Sequence, residues 1–205
     1  MQRALIVALF TVGLAVSSQA GEVPQFAKDD DADAWLRKNS PFYALMAAEV
    51  DSRGGCKFRT VIDVPRAGEL HFENGQRYIA LGADLHGPER VSVMAFEMTN
   101  AYQEKKHQEI DTRARSGAIN DPAEFGLLHE LVEYDGLRLH RRVLSELDEA
   151  IGGIPKAMLD WINPSLATLA NYELPFAFAY MEAQAKSGHT AHYQKWFWKQ
   201  RAMKD

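Results

Sequence analysis

The sequence predicts an α+β domain, in which a small antiparallel sheet is followed by a helical body with a long antiparallel helix pair. Three observations lead to this class. Residues 57–64 alternate polar and apolar side chains, and residues 69–72 and 77–81 then flank Asn74-Gly75, a dipeptide typical of tight hairpins. Two long stretches without internal proline then place apolar residues at helical spacing. The link between these stretches is short, and short links join antiparallel neighbours.

The chain begins with the pattern of a secretory signal peptide over residues 1–20. Arg3 is the only charge, an apolar run follows it, and Ser18 and Ala20 place small residues before a cleavage site. The pattern predicts export to the periplasm or beyond, with no membrane span left after cleavage. An uncleaved anchor helix is the alternative. Residues 21–34 are polar and acidic, and we expect them to form a flexible start of the mature chain.

Residues 35–205 are expected to form one domain, since this length suits a single hydrophobic core. Its first element is a short helix over residues 35–50, interrupted near Ser40-Pro41. Three strands then follow. They are expected at residues 57–64, 69–72 and 77–81.

The two long helices are bounded by recognisable start and stop residues. The first is expected from Pro88 to about Arg115, because proline suits a first helical position. The second begins after the candidate N-cap Asp121 and ends near Gly152-Gly153. Two further helical segments complete the chain.

Composition and cysteine content restrict the function. The net charge of −5 and the absence of a long basic run argue against a nucleic-acid partner. Cys56 is the only cysteine, so an internal disulfide is excluded. Its setting between Gly55 and Lys57 predicts a turn and an inert or structural thiol, with a nucleophile as the alternative.

Three polar residues share the apolar face of the second long helix. At about 100° per residue, His129, Glu133 and His140 fall within an arc of about 40° that also contains leucines and a glycine. His129 and Glu133 are one turn apart, and imidazole and carboxylate are both zinc ligands. We therefore predict these two as metal ligands. His140 lies about 16 Å from His129 by helical rise, so these two histidines do not share an ion.

The first long helix has a similar polar group. Glu97 lies inside its apolar arc, and Asn100 and Glu104 lie beside it. If the two helices pack through these faces, carboxylates, an amide and imidazoles converge as a metal site or an acid–base site requires. The alternative is a buried hydrogen-bond network that fixes the register of the helices.

Residues 96–100 (FEMTN) resemble the active-site helix of zincin metallopeptidases, whose HExxH motif follows a sheet ending in an edge strand. Residues 129–135 (HELVEYD) are similar to the second helix of metallopeptidase-like domains in bacterial secreted toxins. In zincins the two histidines bind zinc and the glutamate activates water. The resemblance implies that Glu97 is a general base. The two histidine positions hold Phe96 and Asn100, and phenylalanine does not ligate metal.

Two functions follow, and whether the chain is an enzyme is left open. The first is an exported zincin-like, metal-dependent hydrolase that acts on a small-molecule or peptide substrate. Its catalytic residue is Glu97, and His129 and Glu133 hold a divalent metal, with zinc preferred. The binding residues are Asn100, Glu104 and His140. The second is a non-catalytic periplasmic binding, inhibitor or immunity-type protein on the same scaffold, with a protein partner.

Overall fold

The computed structural model describes residues 22–62, 68–162 and 166–203, so the predicted signal peptide lies outside the described residues. The elements are α1 (Asp29–Asn39), α2 (Pro41–Ser52), β1 (Lys57–Val61), β2 (Gly68–Glu73), β3 (Gln76–Gly82), α3 (Gly87–Arg115), α4 (Pro122–Ile151), α5 (Ala157–Asp160), a 3-10 turn (Leu169–Asn171), α6 (Ala177–Ser187) and α7 (His189–Ala202). A small sheet and a helical body are both present. The predicted α+β class is confirmed.

The segment at residues 21–34, predicted to be flexible, is helical from Asp29 onward. Acidic residues in a first turn favour a helix because they face the positive end of its dipole. Arg90 of α3 also holds Asp29 through two hydrogen bonds of 2.7 and 2.9 Å. The predicted interruption near Ser40 is present, since Ser40 caps α2 by accepting a hydrogen bond from the Tyr43 amide at 3.0 Å.

The sheet has the order β1-β3-β2. Strands β2 and β3 form the predicted antiparallel hairpin, with Asn74 and Gly75 both at positive φ. Strand β1 instead runs parallel to β3, so the sheet is mixed rather than antiparallel throughout. The prediction treated successive strands as antiparallel neighbours, whereas β1 and β2 occupy opposite edges of β3.

Helices α3 and α4 form the predicted antiparallel pair, because Ser92 contacts His140, whereas Gln103, further along α3, contacts Val132, which comes earlier in α4. Asp121 caps α4 by accepting a hydrogen bond from the Ala123 amide at 2.8 Å. Gly136 marks a close approach of the pair. A Cβ at this position would lie 3.2 Å from both the Gln103 amide nitrogen and the Thr99 hydroxyl.

Helix α7 packs across the α3–α4 pair around a second, smaller apolar cluster. Phe197 of α7 is buried there against Phe125 of α4. Trp198, the next residue, is 63% exposed and points away from the cluster. Among the described residues, no helix has the length and apolar character that crossing a bilayer requires.

Candidate functional site

Glu97 lies on α3 beneath the outer edge of β2. The hairpin turn has two residues, so the closing pair of Glu73 and Gln76 is hydrogen-bonded. Moving away from the turn, non-hydrogen-bonded and hydrogen-bonded pairs then alternate along the two strands. Leu70 is therefore in a non-hydrogen-bonded pair, with its N–H directed away from β3. That N–H faces the Glu97 carboxylate and lowers the pKa of the carboxyl group. The Asn100 side-chain amide donates to the same carboxylate at 3.2 Å.

Gly68 allows β2 to pass directly over this carboxylate. A Cβ at Gly68 would lie 3.0 Å from Glu97 Cγ, 3.2 Å from its Oε1 and 2.6 Å from Val93. Only glycine fits without movement of Glu97 or Val93. Glu97 is consequently 5% exposed.

Burial raises the pKa of Glu97 to about 8. The negative charge of Glu133 on α4 raises this pKa further, while the hydrogen bonds from Asn100 and Leu70 act in the opposite direction. With such a pKa, the carboxyl group is mostly protonated at neutral pH. It can then both accept and donate a hydrogen bond.

The two residues predicted beside Glu97 have different surroundings. Asn100 lies next to it, and its buried side-chain oxygen has no hydrogen-bond partner. Glu104 is directed away from the α3–α4 interface. It pairs with Arg77 of β3 and lies 3.7 Å from the guanidinium of Arg53. Glu104 thus ties α3 to the hairpin.

The predicted metal ligands lie in a cluster between α3, α4 and α7. His129 Nδ1 is 2.7 Å from Nδ1 of His107, and its Nε2 is 3.4 Å from Oδ1 of Asp111. The ring of Tyr193 stacks on His129 with centroids 4.5 Å apart. The Tyr193 hydroxyl donates to Glu133 at 2.8 Å. The His129 and Glu133 side chains are therefore bound to different neighbours.

The protonation of this cluster follows from its burial. Burial and the neighbouring His129 lower the pKa of His107 to about 3, so this histidine is neutral at physiological pH. A neutral His107 ring can share one N–H···N hydrogen bond with His129 between the two Nδ1 atoms. Burial also raises the pKa of Glu133. Across the described part of the chain, no three His, Cys, Asp or Glu side chains are arranged to hold a metal ion.

His140 belongs to a third location, near the start of α3. Its Nε2 is 3.3 Å from the Ser92 hydroxyl, and its ring packs edge-on against Phe96 and beside Trp161. Complete burial lowers its pKa to about 3. Phe96, which stands where the zincin motif has a histidine, therefore contributes to an aromatic contact.

Several members of the three-helix cluster were missed by the sequence analysis. His107 and Asp111 are one turn apart on α3, a spacing that could have identified them as partners for His129. Glu130 is buried and accepts hydrogen bonds from Thr190 at 2.9 Å and from His189 at 3.0 Å. These contacts come from the docking of α7, for which the sequence contains no periodic signal.

Surface cavities lie elsewhere. A groove of about 530 Å³ between α2 and α3 is lined by apolar side chains, such as Leu45 and Tyr102, and by Lys105 and Lys106. None of the six predicted site residues lines it. The lone thiol of Cys56 is not poised for reaction either, because burial raises its pKa to about 12.

No protein-family model, no curated protein and no solved structure matches this chain. A function for this chain is therefore inferred from the geometry of the described residues alone.

Proposed function

We propose that the protein is an exported, non-catalytic binding protein that takes an extended segment of a protein partner along the outer edge of β2. The observation that carries this proposal is the position of Glu97. Its carboxyl group lies at that edge and holds the N–H of Leu70. Export rests on the signal-peptide pattern of residues 1–20.

The outer edge of β2 has the groups that strand addition uses. In the described residues no strand pairs with this edge. By the alternation of the ladder, Gly68, Leu70 and Phe72 direct their backbone N–H and C=O groups outward. The Leu70 N–H is taken up by Glu97, which leaves the Leu70 carbonyl and both groups of Phe72 for an added strand. An extended peptide binds such an edge through main-chain hydrogen bonds and gains specificity from alternate side chains. The Phe72 side chain, 63% exposed, supplies an apolar contact beside it.

Glu97 fits a binding role better than a role as general base. The raised pKa keeps this carboxyl group mostly protonated at neutral pH, so that it carries a proton available for a hydrogen bond. A protonated carboxyl group can accept from the Leu70 N–H and donate its O–H to a carbonyl of the added strand. His129 is hydrogen-bonded to His107, and Glu133 to Tyr193. These contacts also favour a binding role over metal-dependent hydrolysis.

A peptide-display selection against the protein, using a library of random twelve-residue peptides, tests this proposal. Phe72→Pro removes one outward N–H, and proline is tolerated on an edge strand. We expect selected peptides to bind the wild-type protein and to lose at least tenfold in affinity for Phe72→Pro, since one main-chain hydrogen bond and an apolar contact are lost.

Phe178→Ala is the matched control, because Phe178 is a second exposed phenylalanine, on α6 and 76% exposed. It should leave peptide affinity unchanged. Equal binding to wild type and to a folded Phe72→Pro protein would refute the edge as the binding site.

A further inference from the structure

The outward face of α7 combines one exposed aromatic side chain with basic residues. Lys195, Trp198, Lys199 and Ala202 recur at three- and four-residue spacing, so they form one stripe along the helix. All four are exposed. The opposite side of α7 is anchored to the domain through Phe197, which is 1% exposed. The stripe is therefore held in a fixed position on the surface.

The charge of α7 is opposite in sign to that of the whole chain. The helix contains Lys195, Lys199 and Arg201 and no acidic residue, whereas the full sequence has a net charge of −5. Arg115, at the end of α3, lies beside it and donates to Gln200 of α7 at 2.5 Å. The outward face of α7 is thus positively charged, while the acidic residues Asp111, Glu130 and Glu133 bond to its inner side.

We infer that this face of α7 docks on a membrane surface that contains anionic phospholipid. Tryptophan favours the headgroup region because its ring is apolar and its N–H is polar. Lysines around it attract acidic headgroups while their methylene stems lie along the apolar layer. The net negative remainder of the protein is repelled by the same surface, and this fixes the orientation of docking.

A membrane suits this face better than an acidic protein. A stable protein interface buries about 800 Å² on each partner around several apolar contacts. The face offers a convex helix with a single large aromatic group, and Met203, 52% exposed, follows at its end. Shallow insertion of one tryptophan between lysines matches the depth of a headgroup layer. The docking is independent of the peptide site proposed on β2.

Co-sedimentation of the protein with vesicles tests this inference. Vesicles of phosphatidylcholine with 30% phosphatidylglycerol (roughly the anionic content that gives a strong surface potential) are compared with pure phosphatidylcholine. We expect binding to the anionic vesicles only, weakened by high salt. Trp198→Ala should reduce the bound fraction at least roughly fivefold, and Lys195→Glu with Lys199→Glu at least roughly 20-fold.

The charge control is Lys38→Glu with Lys57→Glu, which changes the net charge equally at two exposed lysines outside α7. This variant should bind as wild type does. Failure of the wild-type protein to sediment with anionic vesicles would overturn the inference, and so would equal loss of binding in the control. Either result would direct attention to an acidic protein as the occupant of the face.

Discussion

Replacement of Glu97 by glutamine should increase stability at neutral and alkaline pH. The folded protein raises the pKa of Glu97 from 4.5 to about 8. Between these values the folded state keeps a proton that the unfolded state has released, so the free energy of unfolding falls as pH rises. Above about pH 8 the loss is complete. Below pH 4.5 both states hold the proton and the loss disappears.

The magnitude follows from the pKa difference. Each pKa unit corresponds to about 1.36 kcal/mol, so at pH 7 the loss is about 3 kcal/mol, and at pH 5 it is under about 1 kcal/mol. Glutamine has no proton to release. Its amide oxygen can accept from the Leu70 N–H, and its NH₂ can donate to the Asn100 oxygen that has no partner. Glu97→Gln should therefore be more stable than wild type by up to about 3 kcal/mol at pH 7.

Urea unfolding followed by far-ultraviolet circular dichroism at pH 5, 6, 7 and 8 measures this difference. Glu73→Gln is the matched control, because the Glu73 side chain lies on β2, is half exposed and does not contribute to the shifted pKa of Glu97. The control should follow the wild-type pH dependence. A Glu97→Gln protein that loses stability with pH in parallel with wild type would refute the reasoning, because Glu97 would then titrate normally.

Three further changes test the helix interfaces. Gly136→Ala should destabilise the fold by about 1 kcal/mol in urea unfolding, because a Cβ there meets the buried Gln103 at 3.2 Å. Wild type should lose stability between pH 6.5 and 4, because the lowered pKa of His140 means that only the unfolded state gains its proton in that range. His140→Gln should lose less stability over the same range, as measured by thermal unfolding. Tyr193→Phe removes the donor to Glu133 and should cost about 2 kcal/mol by calorimetry.

Each of these changes has a result that would contradict it. An unchanged urea midpoint for Gly136→Ala would mean that the helix pair accommodates a Cβ at no greater cost than the gain in helix propensity from alanine. An unaltered acid profile for His140→Gln would assign the loss on acidification to other groups, such as His107. Unchanged stability of Tyr193→Phe would show that Glu133 finds another donor.

Elements with local signals were predictable from the sequence. Asp121 and Gly152 mark the ends of α4, and Asn74-Gly75 marks the hairpin, because each residue suits its own backbone conformation. The parallel pairing of β1 had no such signal. It depends on which edge of β3 remains available after the hairpin has formed.

The candidate site was predictable only in part, for a related reason. Periodicity identified Glu97, His129 and His140 as polar residues on apolar faces, and all three are buried. Periodicity does not give the rotation of a helix to better than a few tens of degrees. Glu97 consequently turns toward β2 rather than toward His129. The docking of α7, which supplies Tyr193, depends on tertiary packing alone.

The most direct test is the metal content of the untagged protein, measured by inductively coupled plasma mass spectrometry after dialysis without chelator. We expect a folded protein with no stoichiometric zinc, iron or manganese, because His129 Nδ1 is held by His107 and Glu133 by Tyr193, and no three metal-binding side chains converge in the described residues. A near-stoichiometric metal, lost together with activity in His129→Ala, would contradict this expectation. The protein would then be a metal-dependent hydrolase.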